Sequence, residues 1–383
     1  MDRHLTRKAT LLIMLVFLLQ PLAIGGWLAL IPVVKANLLL SKGELAIALM
    51  AMPMALIPSL QVAGRAITRV GPRRIFRIFF PLQALAVLMP LYAWGLPSLF
   101  AALFLLGAMA AFLEVAINVY AGRLEKQAGV MIMNRCHGFW AMGIMAGSAL
   151  VALLALTPLE ALLLLALVSV LGGVTAGFAM PQLGDEGTAK APPRRRFGHL
   201  PRPLIFVAAF MFLVTLTEGV MADWSAVFLA ERLNDPYSNA GIAVTVFSGF
   251  MAGGRFLGDW LKRLMGGVAL ARLTTASAAL GLLVLIAPLP VWMMLPGFAL
   301  VGFGISAAYP LGVSAIAALD DAYESSNIAI MATVALGGFL IGPPLIGLLS
   351  EAFSLRTGFA ALLPGLILAL WLTRWLRPGE SPR

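Results

Sequence analysis

Two short stretches decide how this chain is read: GRAITRVGPRRIF at residues 64–76 and GRFLGDWLKRLMG at residues 254–266. Each opens on Gly-Arg, carries further bases, and separates one long apolar window from the next. Their starts lie 190 residues apart in a chain of 383, close to half its length. Two homologous halves explain that spacing more simply than chance does. In both copies Gly allows helix ends to approach closely, while Arg and Lys can reach terminal carbonyls and headgroups. Asp259, in the second copy, is placed to pair with a base or to cap a neighbouring helix.

The windows around these stretches set the class. Hydrophobic residues make up 61% of the chain and charged ones 11%, against roughly 25% charged in a soluble domain, and the mean hydropathy is +0.96. A water-soluble core cannot absorb that much apolar surface. Windows of about 20 apolar residues, the length of helix that crosses ~30 Å of hydrocarbon, fall at 10–33, 43–63, 73–94, 97–121, 134–155 and 158–180. A second set falls at 202–227, 238–259, 268–287, 290–317, 325–348 and 356–376. The pattern predicts an all-α polytopic membrane protein with twelve transmembrane helices in two pseudo-symmetric six-helix bundles, residues 1–180 and 202–383, joined by a polar linker at 181–201. The first window lacks a small-residue cleavage signature and reads as a retained helix, not a signal peptide.

A formal net charge of +10 invites a nucleic-acid reading, but the placement of the bases argues against it. With the N-terminus inside, the outer segments hold only Lys35, Lys42, Arg232 and Arg356 of the 27 Lys and Arg residues. That bias places both termini in the cytoplasm of a bacterial cell and the protein in its inner membrane, with the inner bases against anionic lipid headgroups. Cys136 is the one cysteine and the chain has three histidines. Neither a disulfide nor a cluster of metal ligands can be assembled from them, and no cofactor is expected.

With these residues in view, the chain resembles the major facilitator superfamily, whose signature between its second and third helices has the form G-x-x-x-D-R-x-G-x-[RK]-[RK]. Gly64, Arg69, Gly71, Arg73 and Arg74 match it; Thr68 stands at the acidic position, and Asp259 supplies that residue in the second copy. The strings LEVAINVYAGRLE (113–125), NRCHGFWAMGIMAG (134–147), EGVMADWSAVFL (218–229) and GGFLIGPPLIG (337–347) look like the YbjJ-like branch, related to fucose permease. The resemblance implies the major facilitator fold, a cavity lined by helices one, four, seven and ten, and alternating access by two rocking halves. It also implies proton coupling through a glutamate of the fourth helix, the position of Glu114.

Polar side chains within the windows are the candidates for the site, because an ionised group at membrane depth costs several kcal/mol, about 3 for Asp at a helix centre. Glu114 lies deep in the fourth window with Asn118 one turn later on the same face; a carboxyl group at low dielectric can trade a proton near neutral pH. Structure-holding and plain solute binding remain open for it. Glu218, deep in the seventh window, is a candidate for solute binding or coupling and equally for a structural pair. Asp223, five residues on, points elsewhere and reads as a gate or a wetted helix end. Trp27, Tyr309, Gln20, Gln61, Gln83 and Asn327 suit an apolar pocket with a few polar points, although Trp and Tyr also serve packing and the interface. Arg69, Arg73, Arg255, Asp259 and His137 are assigned to gating. Asn134 is placed to cap the fifth helix, and His137 to pair with Glu125.

No base is expected at mid-helix, which argues against a polyanionic solute and favours a neutral, sugar-like or a cationic one. A proton-coupled carrier is therefore the leading reading, acting as a monomer on a small solute. Export of amphiphilic compounds uses the same architecture, and a receptor or scaffold without transport is the third reading. A channel lacks its ring of filter residues, and an enzyme lacks a nucleophile and base at depth.

Overall fold

The computed structural model describes residues 3–154, 156–184, 200–319 and 323–377, and its regular structure is helical throughout. The first half holds α1 (Arg3–Leu19), α2 (Leu22–Asn37), α3 (Lys42–Val70), α4 (Pro72–Leu88), α5 (Leu96–Ala128), α6 (Met133–Leu153) and α7 (Pro158–Ala179). The second holds α8 (Arg202–Leu233), α9 (Ile242–Met265), α10 (Gly267–Ile286), α11 (Met294–Ile305), α12 (Ala308–Ala317), α13 (Glu324–Ala352), α14 (Leu355–Ala360) and α15 (Leu363–Leu372). Three crossings are broken helices: α1 with α2 at Gln20 and Pro21, α11 with α12 at Ser306 and Ala307, and α14 with α15. Counted as crossings, the described helices make the twelve-span, two-bundle fold. Eleven are long and apolar enough to cross a membrane on composition alone; α9 is the twelfth, and Arg255 and Asp259 lower its apolarity.

Helices overrun the apolar windows that announced them. The second and eighth windows close at residues 63 and 259, whereas α3 runs to Val70 and α9 to Met265. Charge marks where hydrocarbon ends, not where helical hydrogen bonding ends, since long basic side chains reach the interface while their backbone stays helical. Most of the 64–76 stretch is accordingly helix, and the turn is a single residue, Gly71, at φ 77°. Gly266, at φ 82°, does the same between α9 and α10. At such positive φ a Cβ would clash with the following carbonyl, so each turn requires glycine. The two copies differ in one respect. Thr68 stands three residues before its turn glycine and Asp259 seven before its own, so Asp259 lies one helical turn deeper and is not the counterpart of Thr68. Thr68 satisfies its own hydroxyl on the Arg65 carbonyl at 2.7 Å.

Contacts between the halves run through α6 with α9, α3 with α13, and α2 with α8. Gly347 seats α13 on α3 so closely that a Cβ there would run into that of Ala46. Lys42 Nζ pairs with Glu231 at 3.0 Å, the Gly43 amide donates to Glu351 at 3.1 Å and Tyr237 donates to Asn37 at 2.8 Å. All of these lie at the end of the bundle away from the chain termini. Burial follows the same division: every residue of α2 from Leu22 to Pro32 and of α8 from Trp224 to Ala230 is buried. The opposite parts of those crossings, the start of α1 and of α8, bury one face only. The halves are thus sealed at one end and enclose less of the central helices at the other. Most of the linker anticipated at 181–201, residues 185–199, lies outside the described residues.

Candidate solute site between the halves

Six helices bring polar or aromatic groups to one level between the bundles. On α5, Asn118 follows Glu114 by one turn, and its Nδ2 donates both to Glu114 Oε1 at 3.1 Å and to the Glu114 carbonyl at 2.9 Å. Across from it, Arg255 on α9 pairs with Glu218 on α8: Nη2 to Oε1 is 3.3 Å, with side chains 11% and 16% exposed. Arg255 Nη1 also donates to the His137 carbonyl on α6 at 3.2 Å, and its guanidinium lies 6.0 Å from the Trp140 ring centroid. Tyr309 on α12 is 42% exposed and its ring centre lies 6.4 Å from that of His137, which also makes an edge-type contact with Phe17 on α1, ring centres 5.4 Å apart.

Arg255 corrects the expectation that no base sits at mid-helix. A base so close to the end of an apolar window reads as lying outside the bilayer, but α9 continues ten residues beyond it to Met265, about 15 Å of helix. Its charge is consequently withdrawn from water, and Glu218 and a backbone carbonyl compensate it. Trp140 is a further member of the site that sequence reasoning missed; its place within an apolar window is the one signal it carries.

Gln20 and Gln83 are not free to meet a solute. Gln20 Oε1 accepts from Trp140 Nε1 at 2.9 Å, its Nε2 donates to Gln83 Oε1 at 3.3 Å, and its carbonyl, at the break before Pro21, accepts from Gln83 Nε2 at 2.6 Å. The three side chains hold the broken first crossing in place, with Gln20 and Gln83 each 2% exposed. Trp27 (1% exposed) and Asn327 (0%) are likewise buried, whereas Gln61 is exposed on α3. Among the described residues, neither Trp27 nor Gln61 is bonded to Glu114 or Arg255.

The gating assignments divide. Asn134 does not cap α6; its Nδ2 donates to Asp259 Oδ1 across the two halves. Glu125 does the capping, accepting from the Ile132 and Met133 amides at 2.6 and 2.8 Å, and so does not pair with His137. Arg69 is exposed in the last turn of α3. Arg73 donates to the Gly177 and Phe178 carbonyls at 3.4 and 3.1 Å, closing the end of α7 within its own half. Asp223 is half-buried on α8 and makes no hydrogen bond or ion pair among the described residues. No group of three or more His, Cys, Asp or Glu side chains able to hold a metal occurs among the described residues.

A two-bundle membrane fold with a polar site at mid-depth between the bundles defines a solute carrier. Residues 13–319 match the Major Facilitator Superfamily, and the chain belongs to it. An uncharacterised transporter, y4wD of Sinorhizobium fredii (strain NBRC 101917 / NGR234), is 30% identical over 92% of this chain and 94% of its own length. The membrane protein MosC of Rhizobium meliloti is 26% identical over 88% and 83%. Among solved structures, a point mutant of the nucleoside transporter NupG has a TM-score of 0.76 at 13% identity, covering 96% of this chain and 99% of that one. An inward-facing, unoccupied bacterial homologue of the human lysosomal transporter Spinster has a TM-score of 0.69 at 14% identity, each chain covered fully at 100%. At such identities these likenesses speak for the fold. The protein is a multi-pass inner-membrane transporter of a small solute and not an enzyme.

Proposed function

We propose that the chain is a proton-coupled secondary transporter in which residues 1–180 and 202–383 rock about the site between them, with both termini in the cytoplasm and the monomer as the working unit. The observation that carries the coupling is Glu114. It is a carboxyl group at mid-depth on α5, held by the Asn118 amide and with no ion pair of its own among the described residues. Such a group can take up a proton when the site faces one compartment and release it to the other.

Kinship with the branch related to fucose permease belongs to the same proposal, and a sugar-like neutral solute could use Asn118 and Tyr309 as its hydrogen-bonding points. Export of an amphiphilic compound is the second reading, favoured by the aromatic surroundings of Phe17, His137 and Tyr309.

The test is internal pH in proteoliposomes with a trapped dye while sugars, nucleosides, amino acids and amphiphilic cations are added outside. A solute-dependent pH change that Glu114→Gln removes is the expected result. An undiminished change in that variant sinks the role of Glu114, and solute counterflow without any pH change sinks proton coupling.

A further inference from the structure

The two glycine turns lead into helices that differ in what fills the space beside them. Arg73 and Arg77 stand two and six residues after Gly71, where the second copy has Val268 and Arg272 after Gly266. In the first half both bases are used within the half. Arg73 holds the Gly177 and Phe178 carbonyls; the Arg77 guanidinium lies 4.6 Å from the Phe178 ring centre, and its Nε donates to the Arg73 carbonyl at 3.3 Å. Gly177 packs so closely on them that a Cβ there would stand 3.0 Å from Arg77 Cγ. In the second half Val268 is too short to reach the last helix in that way, and a recess of about 530 Å³ opens instead, lined by residues 265–269, Arg272 and Arg377. Both arginines are exposed and make no hydrogen bond or ion pair among the described residues.

We propose that this recess binds the phosphate of an anionic phospholipid, drawn from the leaflet at the end of the bundle where the chain termini lie. α10, α15 and residues 373–377 carry Arg272, Arg374 and Arg377 and not one acid, so an anion there meets uncompensated positive charge. Guanidinium groups pair with phosphate oxygens as a planar fork. The start of α10 adds its first amides, since its cap, Gly266, supplies no side-chain bond to them. In the Thr373–Leu376 turn that packs on α10, Arg374 Nε and Trp375 Nε1 are buried and have no hydrogen-bond partner among the described residues. The surroundings favour a lipid over a dissolved anion. Leu280 and Leu283 continue the face of Arg272 along α10 and are exposed, as is Trp371 on α15. They give an acyl chain an apolar wall beneath the phosphate, which a free ion cannot use. The first half, with Arg73 and Arg77 tied to the end of α7, keeps no such place.

Native mass spectrometry and Tm of the full-length protein, stripped of lipid in neutral detergent, test this with phosphatidylglycerol, phosphatidylcholine and inorganic phosphate as probes. One phosphatidylglycerol per chain should be retained and should raise Tm, with the other two probes without effect. Arg272→Gln and Arg377→Gln should each lower retention about fivefold and leave the Tm of the lipid-free protein unchanged. Arg263→Gln, at a base near the end of α9 that does not line the recess, should change neither. Val268→Arg is the sharper variant, because it refills the recess as Arg73 does in the first half while adding a positive charge. It should abolish retention, whereas diffuse attraction to a basic surface would raise it. Retention unchanged or raised in Val268→Arg, or undiminished when Arg272 and Arg377 are both replaced, overturns the site. Phosphatidylcholine held as well as phosphatidylglycerol overturns the recognition of charge, and inorganic phosphate raising Tm as far as phosphatidylglycerol overturns the lipid.

Discussion

The N-terminal half brings to the proposed solute site one carboxyl group and an amide, whereas the C-terminal half brings a guanidinium and a carboxylate that already hold each other. Glu114 and Tyr309 stand 195 residues apart, the same spacing as the turn residues Gly71 and Gly266. Equivalent places in the two bundles thus carry an ionisable carboxyl on one side and a phenol on the other. The scaffold repeats and the chemistry does not. A duplicated fold needs each half to keep its spans and turns, but the coupling proposed above needs a titrating group on one side only.

That contrast can be broken most severely at Glu114. Glu114→Gln should lower proton-driven flux in proteoliposomes by about a hundredfold or more, the size of effect that follows loss of a positioned proton-transfer group, while leaving Tm in detergent unchanged. The C-terminal pair should answer in stability instead. Arg255→Met or Glu218→Gln alone strands a partly buried partner and should cost about 3 kcal/mol; Arg255→Met with Glu218→Met should recover most of it, seen as a return of the unfolding midpoint. Asn134→Ala removes a hydrogen bond between the halves and should shift their equilibrium by about 1 kcal/mol, read as a changed ratio of two spin-label distances at that end. Lys42→Ala at the opposite end touches an ion pair whose side chains are 23% and 45% exposed. It should cost less than ~1 kcal/mol, and the effect should fade in high salt.

Spans, halves and the depth of Glu114 and Glu218 are legible along the chain because hydropathy and charge act locally. Partners are not. Asn134 meets Asp259 across 125 positions and Trp140 meets Gln20 across 120, and nothing at either residue signals the other. Arg255 is deceptive for a related reason: a base near the end of an apolar window looks like the start of a loop, and only the further turns of α9 put it at depth. Gln20 and Trp27 resemble pocket residues because a polar or aromatic side chain within a span reads the same whether it faces a solute or closes a helix break.

The two seams between the halves are built differently. α6 and α9 are bonded near both ends of their length, by Asn134 with Asp259 and by Ser148 with Thr245 at 2.9 Å. The bonds and closest approaches that join α3 to α13 cluster at Gly43 and Ala46, at one end, while Gln61, Val62, Arg65 and Thr68 farther along α3 are exposed. The molecule is therefore put together like a book, with α6 and α9 as its spine and α3 and α13 as the fore-edge. If the halves rock as proposed, a page turned about that spine travels farthest at the fore-edge, between α3 and α13.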